Sequence, residues 1–117
     1  AQHILERLSD FVKKQQYLDQ EVNLHTLAKK LQTNPKYLSK TINYYEQKSF
    51  TSYINDLRIN YAVSRLKTDR KLQRYAVKAI ADETGFSNQQ SFSQAFHKKT
   101  GMHPSYFIKQ LQKHSYN

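Results

Sequence analysis

Asn34-Pro35-Lys36-Tyr37-Leu38-Ser39-Lys40-Thr41-Ile42-Asn43 is echoed 54 positions later by Asn88-Gln89-Gln90-Ser91-Phe92-Ser93-Gln94-Ala95-Phe96-His97, and the fold follows from that echo. Each stretch opens on asparagine, a residue whose side chain satisfies the free N–H groups at a helix start, and the first adds proline at the opening helical position. Helical spacing then puts Leu38, Thr41 and Ile42 on one side, and 54 residues on it puts Phe92, Ala95 and Phe96 there. On the opposite side stand Lys36, Ser39, Lys40 and Asn43, matched by Gln90, Ser93, Gln94 and His97. Upstream, Leu27 and Ala28 return 53 positions later as Ile80 and Ala81, so the second turn is one residue longer and takes in Gly85 and Phe86. The repeating unit is a pair of short helices across a tight turn, a helix-turn-helix.

Working outward, Ile4, Leu8, Phe11 and Val12 form the stripe of an opening helix that fades by Lys13 to Gln16. Asn23 caps a short helix carrying Leu24, Leu27, Ala28 and Leu31. Ser49 opens the longest element, where Phe50, Tyr53, Ile54, Leu57, Tyr61, Ala62 and Leu66 keep helical spacing over about 17 residues, or about 26 Å. The basic stretch from Lys67 to Arg74 reads as an exposed connection between the halves. Val77, Ile80 and Ala81 mark a short helix stopped at Gly85, Gly101 ends the helix opened by Asn88, and Pro104 starts a last helix through Tyr106, Phe107 and Leu111. The expected fold is all-α, about seven helices. A first helix-turn-helix subdomain occupies residues 1–48 with its recognition helix at about 35–46, a linker helix residues 49–67, and a second subdomain residues 68–117 with its recognition helix at about 88–100.

Composition narrows the function. The 117 residues carry 19 Lys and Arg against nine Asp and Glu, a net charge of +10, which favours a polyanionic partner. The absence of cysteine removes disulfide scaffolds, thiol nucleophiles and thiolate zinc sites, and two glycines are too few for a Gly-rich phosphate loop. No apolar run approaches the roughly 20 residues of a membrane span, so no membrane contact by this segment is expected. Five histidines show no ligand spacing on one helix face, and Asp82 and Glu83 are adjacent rather than paired across a cleft, so neither a metal nor other cofactor nor an enzyme activity is expected.

The polar stripes carry the chemistry. A helix fits the major groove of duplex DNA, where lysine donates to guanine O6 and N7 and glutamine or asparagine pairs with adenine N6 and N7. From Lys36 to Asn43 and from Gln89 to Lys99 there is no carboxylate, which suits a surface meeting phosphates. Two such helices reading one face of DNA must sit about one helical turn, roughly 34 Å, apart, and the long helix has about that reach. Because Lys36, Ser39 and Lys40 differ from Gln90, Ser93 and Gln94, the site read would be asymmetric. Lys98 and Lys99, with Lys29, Lys30 and Lys48, are candidate phosphate clamps that position without reading sequence. Tyr53 and Tyr61 fall on the core stripe, and Tyr44 and Tyr45 edge the DNA-facing side. The alternative is a nonspecific nucleic-acid-binding or architectural module, in which the charge binds and the stripes discriminate little.

Over roughly residues 20 to 110 the chain closely resembles the DNA-binding domain of AraC/XylS-type transcription regulators. The resemblance lies in Leu27-Ala28 through Thr33-Asn34-Pro35-Lys36-Tyr37-Leu38-Ser39-Lys40, in Tyr53-Ile54 with Leu57-Arg58-Ile59 and Ala62, in Ile80-Ala81 with Gly85-Phe86-Ser87-Asn88, and in Ser91-Phe92, Phe96, Gly101 and Pro104-Ser105. It implies two helix-turn-helix subdomains joined by a long helix, with two recognition helices entering successive major-groove segments. By position it assigns base reading to Lys36, Ser39, Lys40 and Asn43, and to Gln89, Gln90, Ser93 and Gln94. It also implies a cytoplasmic, nucleoid-associated output module of a longer protein, with a sensor or dimerisation module N-terminal to it and RNA polymerase as a partner if the protein activates. That sensor could be ligand-binding, phosphorelay or membrane-linked. The sequence departs from the family's pattern at Gln32 and Gln47, where glycine is usual, so the first turn and helix end are expected to be shaped differently. It departs also at Ile42 for phenylalanine, at Ile108 for arginine, and at Ala76, where a capping residue is usual.

Overall fold

The computed structural model describes residues 2–114 as seven α-helices with no strand among them. They are α1 (Gln2–Lys13), α2 (Leu24–Lys30), α3 (Pro35–Glu46), α4 (Phe50–Thr68), α5 (Val77–Glu83), α6 (Gln89–Thr100) and α7 (Pro104–His114), with 3-10 turns at Gln16–Leu18 and Leu72–Arg74. The chain divides into two units, residues 1–57 and 58–117, and the division falls within α4.

In the first unit Ile4, Leu8 and Phe11 of α1 are buried together with Leu27, Ala28, Leu31, Leu38 and Ile42. Tyr17 meets Phe11 edge to face at 6.3 Å, which ties the 3-10 turn to α1, and Arg7 Nη1 donates to the Leu31 carbonyl at 2.8 Å, which ties α1 to the end of α2. Tyr53 of α4 is also buried, and its phenol is pushed up to about 12 by that burial, with the negative charge of Glu46 adding to the effect. Since the fold favours the neutral phenol, this contribution to stability is whole below the unfolded value of about 10 and is lost as pH rises through the folded one. Alkaline titration followed by phenolate absorbance is expected to show a late step near pH 12 that Tyr53→Phe removes.

The second unit is built on aromatic rings. Phe86 meets Phe92 at 5.4 Å, Phe92 meets Phe96 at 5.6 Å, and Phe96 meets Phe107 at 5.3 Å, so one chain of contacts links the turn, α6 and α7. Ile59, Ala62 and Leu66 of α4 close this core with Ile80, Ala81 and Ile108, and the Arg58 guanidinium lies over the Phe86 ring at 5.7 Å. The stretch Lys67 to Arg74, read from sequence as an exposed connection, does leave Lys67, Thr68, Arg70, Lys71 and Arg74 exposed, but it is also anchored to this unit. Its single apolar residue, Leu72, is 1 % exposed and belongs to the core. Asp69 accepts from the Lys71 and Leu72 backbone and from Arg65 Nη2 at 3.0 Å, and Gln73 Nε2 donates to the Leu66 carbonyl at 2.7 Å. Those bonds to Arg65 and the backbone hold the Asp69 carboxyl below its ordinary value. The helix expected over about 17 residues runs for 19 and serves both units.

The two-helix unit repeats down to its hydrogen bonds. Asn34 Oδ1 accepts from the Tyr37 N–H and Asn88 Oδ1 from the Ser91 N–H, each at 2.8 Å. At the turns the Thr33 N–H reaches the Ala28 carbonyl at 2.9 Å and the Phe86 N–H reaches the Ala81 carbonyl at 3.0 Å. Gln32 and Gly85 occupy the same left-handed corner, at φ 60° and 92°, and Gln47 and Gly101 share another, at 56° and 79°. The expectation that the glutamines reshape the first half is therefore corrected. Glutamine accepts the left-handed backbone, at a cost of about 1–2 kcal/mol against an ordinary conformation, because the hydrogen bonds of the turn and the burial of Leu31 and Leu38 hold it there. Thr84 stands where the first half has Leu31, and its fully buried hydroxyl is satisfied by donating to the Ile80 carbonyl at 2.8 Å.

The halves differ at the start of the first helix of each pair. Asn23 and Thr26 form a reciprocal capping box on α2, both bonds at 2.9 Å, whereas Ala76 offers α5 no side-chain bond. Ala76→Ser is accordingly expected to raise stability by about 1 kcal/mol, read as a shift in the urea midpoint. An unchanged midpoint would mean that the first N–H groups of α5 are already satisfied.

Candidate nucleic-acid interface

Burial of Leu38, Thr41 and Ile42 on α3, and of Phe92 and Phe96 on α6, leaves the opposite face of each helix outward. On α3 that face carries Lys36, Lys40 and Asn43, all exposed, with Ser39 half-buried at its flank. On α6 it carries Gln90, Gln94 and His97, also exposed, with Gln89 at the first helical position and Ser93 half-buried at the flank. Every residue assigned to base reading from the sequence thus lies on α3 or α6, and all except the two serines are well exposed. The caps matter to this geometry. The Asn34 and Asn88 side chains turn inward to the backbone, which fixes where each stripe begins.

The lysines fall into different situations. Lys29 and Lys30 are exposed in the last turn of α2, and Lys98 and Lys99 in the last turn of α6, where they also complement the negative end of the helix dipole. Lys48 is held by a carboxylate, its Nζ 2.7 Å from Asp56 Oδ2, so binding a phosphate there means exchanging one anion for another.

Two ring contacts near these faces are not readable from spacing. Tyr44 and Tyr45, 76 % and 52 % exposed, meet edge to face at 4.9 Å at the end of α3, and they stand where the repeat has Lys98 and Lys99 on α6. His97 stacks on His103, ring centroids 4.5 Å apart and planes 19° from parallel. Position along the chain puts Gly101 between these histidines, and it is the left-handed corner at that glycine that returns the chain towards α6. No group of three or more His, Asp or Glu able to hold a metal ion occurs among the described residues, and no described helix is long and apolar enough to cross a membrane.

Two capped helices with matching outward polar faces, each preceded across a tight turn by a short supporting helix, define a tandem helix-turn-helix DNA-binding domain. A family model described as "Helix-turn-helix domain" matches residues 27–110, and the chain belongs to this family, the AraC-type DNA-binding domains of transcription regulators. The chain is 36% identical over 75 residues to the uncharacterized transcriptional regulatory protein YesN of Bacillus subtilis, a match covering 63% of this chain and 20% of YesN. The chain therefore corresponds to about a fifth of that relative's length. Among solved structures, the C-terminal domain of AraT, a response regulator from Geobacillus stearothermophilus, superposes with a TM-score of 0.77 at 25% identity, covering 92% of this chain and 84% of that one. The DNA-binding domain of the transcriptional factor AdpA, crystallised with a target DNA, shares the fold with a TM-score of 0.79 at 14% identity, covering 95% of this chain and 94% of its own.

Proposed function

We propose that this chain is the output module of a transcription regulator and that it recognises an asymmetric duplex site through two successive major-groove segments, α3 reading one and α6 the other. The observation that carries the reading is the duplicated outward stripe. Lys36, Lys40 and Asn43 on α3, and Gln90, Gln94 and His97 on α6, are exposed on equivalent faces, and no carboxylate occurs from Lys36 to Asn43 or from Gln89 to Lys99. Lysines on α3 favour guanine and glutamines on α6 favour adenine, so the two blocks of the site differ in base composition. Ser39 and Ser93 flank the readers, and Gln89 stands beside the first backbone N–H groups of α6.

Affinity in this reading comes largely from Lys29, Lys30, Lys98 and Lys99 on phosphates, with Lys48 joining when it leaves Asp56. The relatives named above, one a transcriptional regulatory protein and one a response-regulator C-terminal domain, support a longer cytoplasmic protein with an N-terminal sensor or dimerisation module and, where it activates, contact with RNA polymerase.

Selection of bound duplexes from a random pool tests the reading. One asymmetric motif with two blocks about a helical turn apart, preferred over scrambled DNA at two salt concentrations, is the expected result. Failure to enrich any motif, with binding that fades alike for all duplexes as salt rises, would reduce the chain to a charge-driven binder. Lys98→Ala is expected to weaken selected and scrambled duplexes alike and to lower the slope of log affinity against log salt by about 1. An unchanged slope would take Lys98 off the phosphate contacts.

A further inference from the structure

His97 is named above only as a member of the outward stripe of α6, and its stack on His103 is not used by any step there. His97 is the last member of the α6 stripe, three residues beyond Gln94 and seven beyond Gln90, so it shares their outward face. It is exposed, yet its ring rests against His103 at 4.5 Å and 19°. His103 is itself tethered. Its carbonyl accepts from the Phe107 N–H at 3.1 Å as α7 begins, and the chain between the two rings is tied by Thr100 Oγ1, which donates to the Phe96 carbonyl at 2.8 Å and accepts from the Met102 N–H at 3.1 Å. An exposed side chain ordinarily loses its rotamer freedom only when the ligand arrives, at about 0.5–1.5 kcal/mol for each immobilised group. In this arrangement the His97 ring already has a neighbouring ring to rest against without any DNA.

We infer that His97 is a base reader in its own right, donating an imidazole N–H to the N7 or O6 of a guanine at the edge of the block read by α6, and that His103 is the positioning residue that holds the ring in its reading orientation. An imidazole N–H donates, and guanine offers it N7 and O6 with no donor beside them at that edge, whereas adenine sets its N6 donor next to N7. A phosphate role is the poorer fit, because Lys98 is the cation at the flank of the stripe and Lys99 lies on the far side of the helix, while His97 stays on the stripe. The inference rests on the assignment of α6 to the groove and adds a guanine to a block otherwise read by glutamines.

The test uses the 117-residue chain and the duplex it selects from a random pool, remade with each of the four bases at every position and measured at one fixed pH and salt concentration. Wild type is expected to prefer guanine at one position of the α6 block by roughly 2- to 12-fold, the worth of one hydrogen bond. His97→Ala is expected to bring that preference close to onefold and to leave the other positions unchanged. His103→Phe, which keeps a flat ring in the stack, is expected to retain the preference, and His103→Ala to lose several-fold of it. Thermal melting of each variant checks that the fold is intact. A His97→Ala protein weakened equally for all four bases, or not weakened at all, would overturn the base-reading role. Retention of the full preference by His103→Ala would overturn the positioning role. Wild type showing no preference anywhere in the duplex would overturn the groove assignment of α6, and this inference with it, a result distinct from the other two.

Discussion

Phe92→Ala is expected to remove about 3–5 kcal/mol of stability, the usual range for deleting a buried phenylalanine ring. Phe92 is 0 % exposed and meets both Phe86 and Phe96, so its loss opens the middle of the aromatic chain joining the turn, α6 and α7. Domains of this size are stabilised by about 5–15 kcal/mol in all, so one truncation takes a large fraction. Urea unfolding followed by circular dichroism measures it. A loss below about 1 kcal/mol would show that the second unit collapses around the vacancy and that the ring contacts contribute little beyond area. Leu38 is the equivalent residue of the first unit, also fully buried, and offers the control of the same truncation without an aromatic chain around it.

The second large effect concerns specificity. Gln90→Ala combined with Gln94→Ala is expected to cost roughly 1–3 kcal/mol per lost base contact on the selected duplex and little on scrambled DNA. Both side chains are exposed on α6 and neither contributes to the core, so the variant should melt with wild type. Titration of both duplexes at one salt concentration decides it. Equal losses on the two would move the glutamines from reading bases to general contact with the backbone.

Much of the fold is legible in the order of the residues, and particular positions explain why. Asn34 and Asn88 are caps in sequence and in space, because an asparagine ahead of an apolar-periodic run has one low-energy use for its side chain. Leu38, Ile42, Phe92 and Phe96 are buried as their spacing requires. The misreadings arise where a long-range contact outweighs local chemistry. Lys67 to Arg74 looks like a linker because seven of its eight residues are polar, and only the burial of Leu72 shows that the stretch is docked. The shape of the first turn is not readable from Gln32, since a left-handed corner without glycine is imposed by the surrounding hydrogen bonds rather than by its own preference. Likewise the stack of His97 on His103 depends on a change of chain direction at Gly101, which spacing along one helix cannot express. The outward stripes are legible because a helix face is a property of spacing alone.

The two halves depart from their shared pattern in opposite places. The first has a capping box at Asn23 and glutamine at both corners, while the second has Gly85 and Gly101 at the corners and no side-chain cap at Ala76. Side by side within one polypeptide they form a matched experiment on the helix-turn-helix unit. Each shows a local feature that the architecture forms without, and neither half is without both. A pattern search that insists on glycine at the turn would find the second copy and overlook the first, so this chain would register as carrying one helix-turn-helix when its backbone holds two.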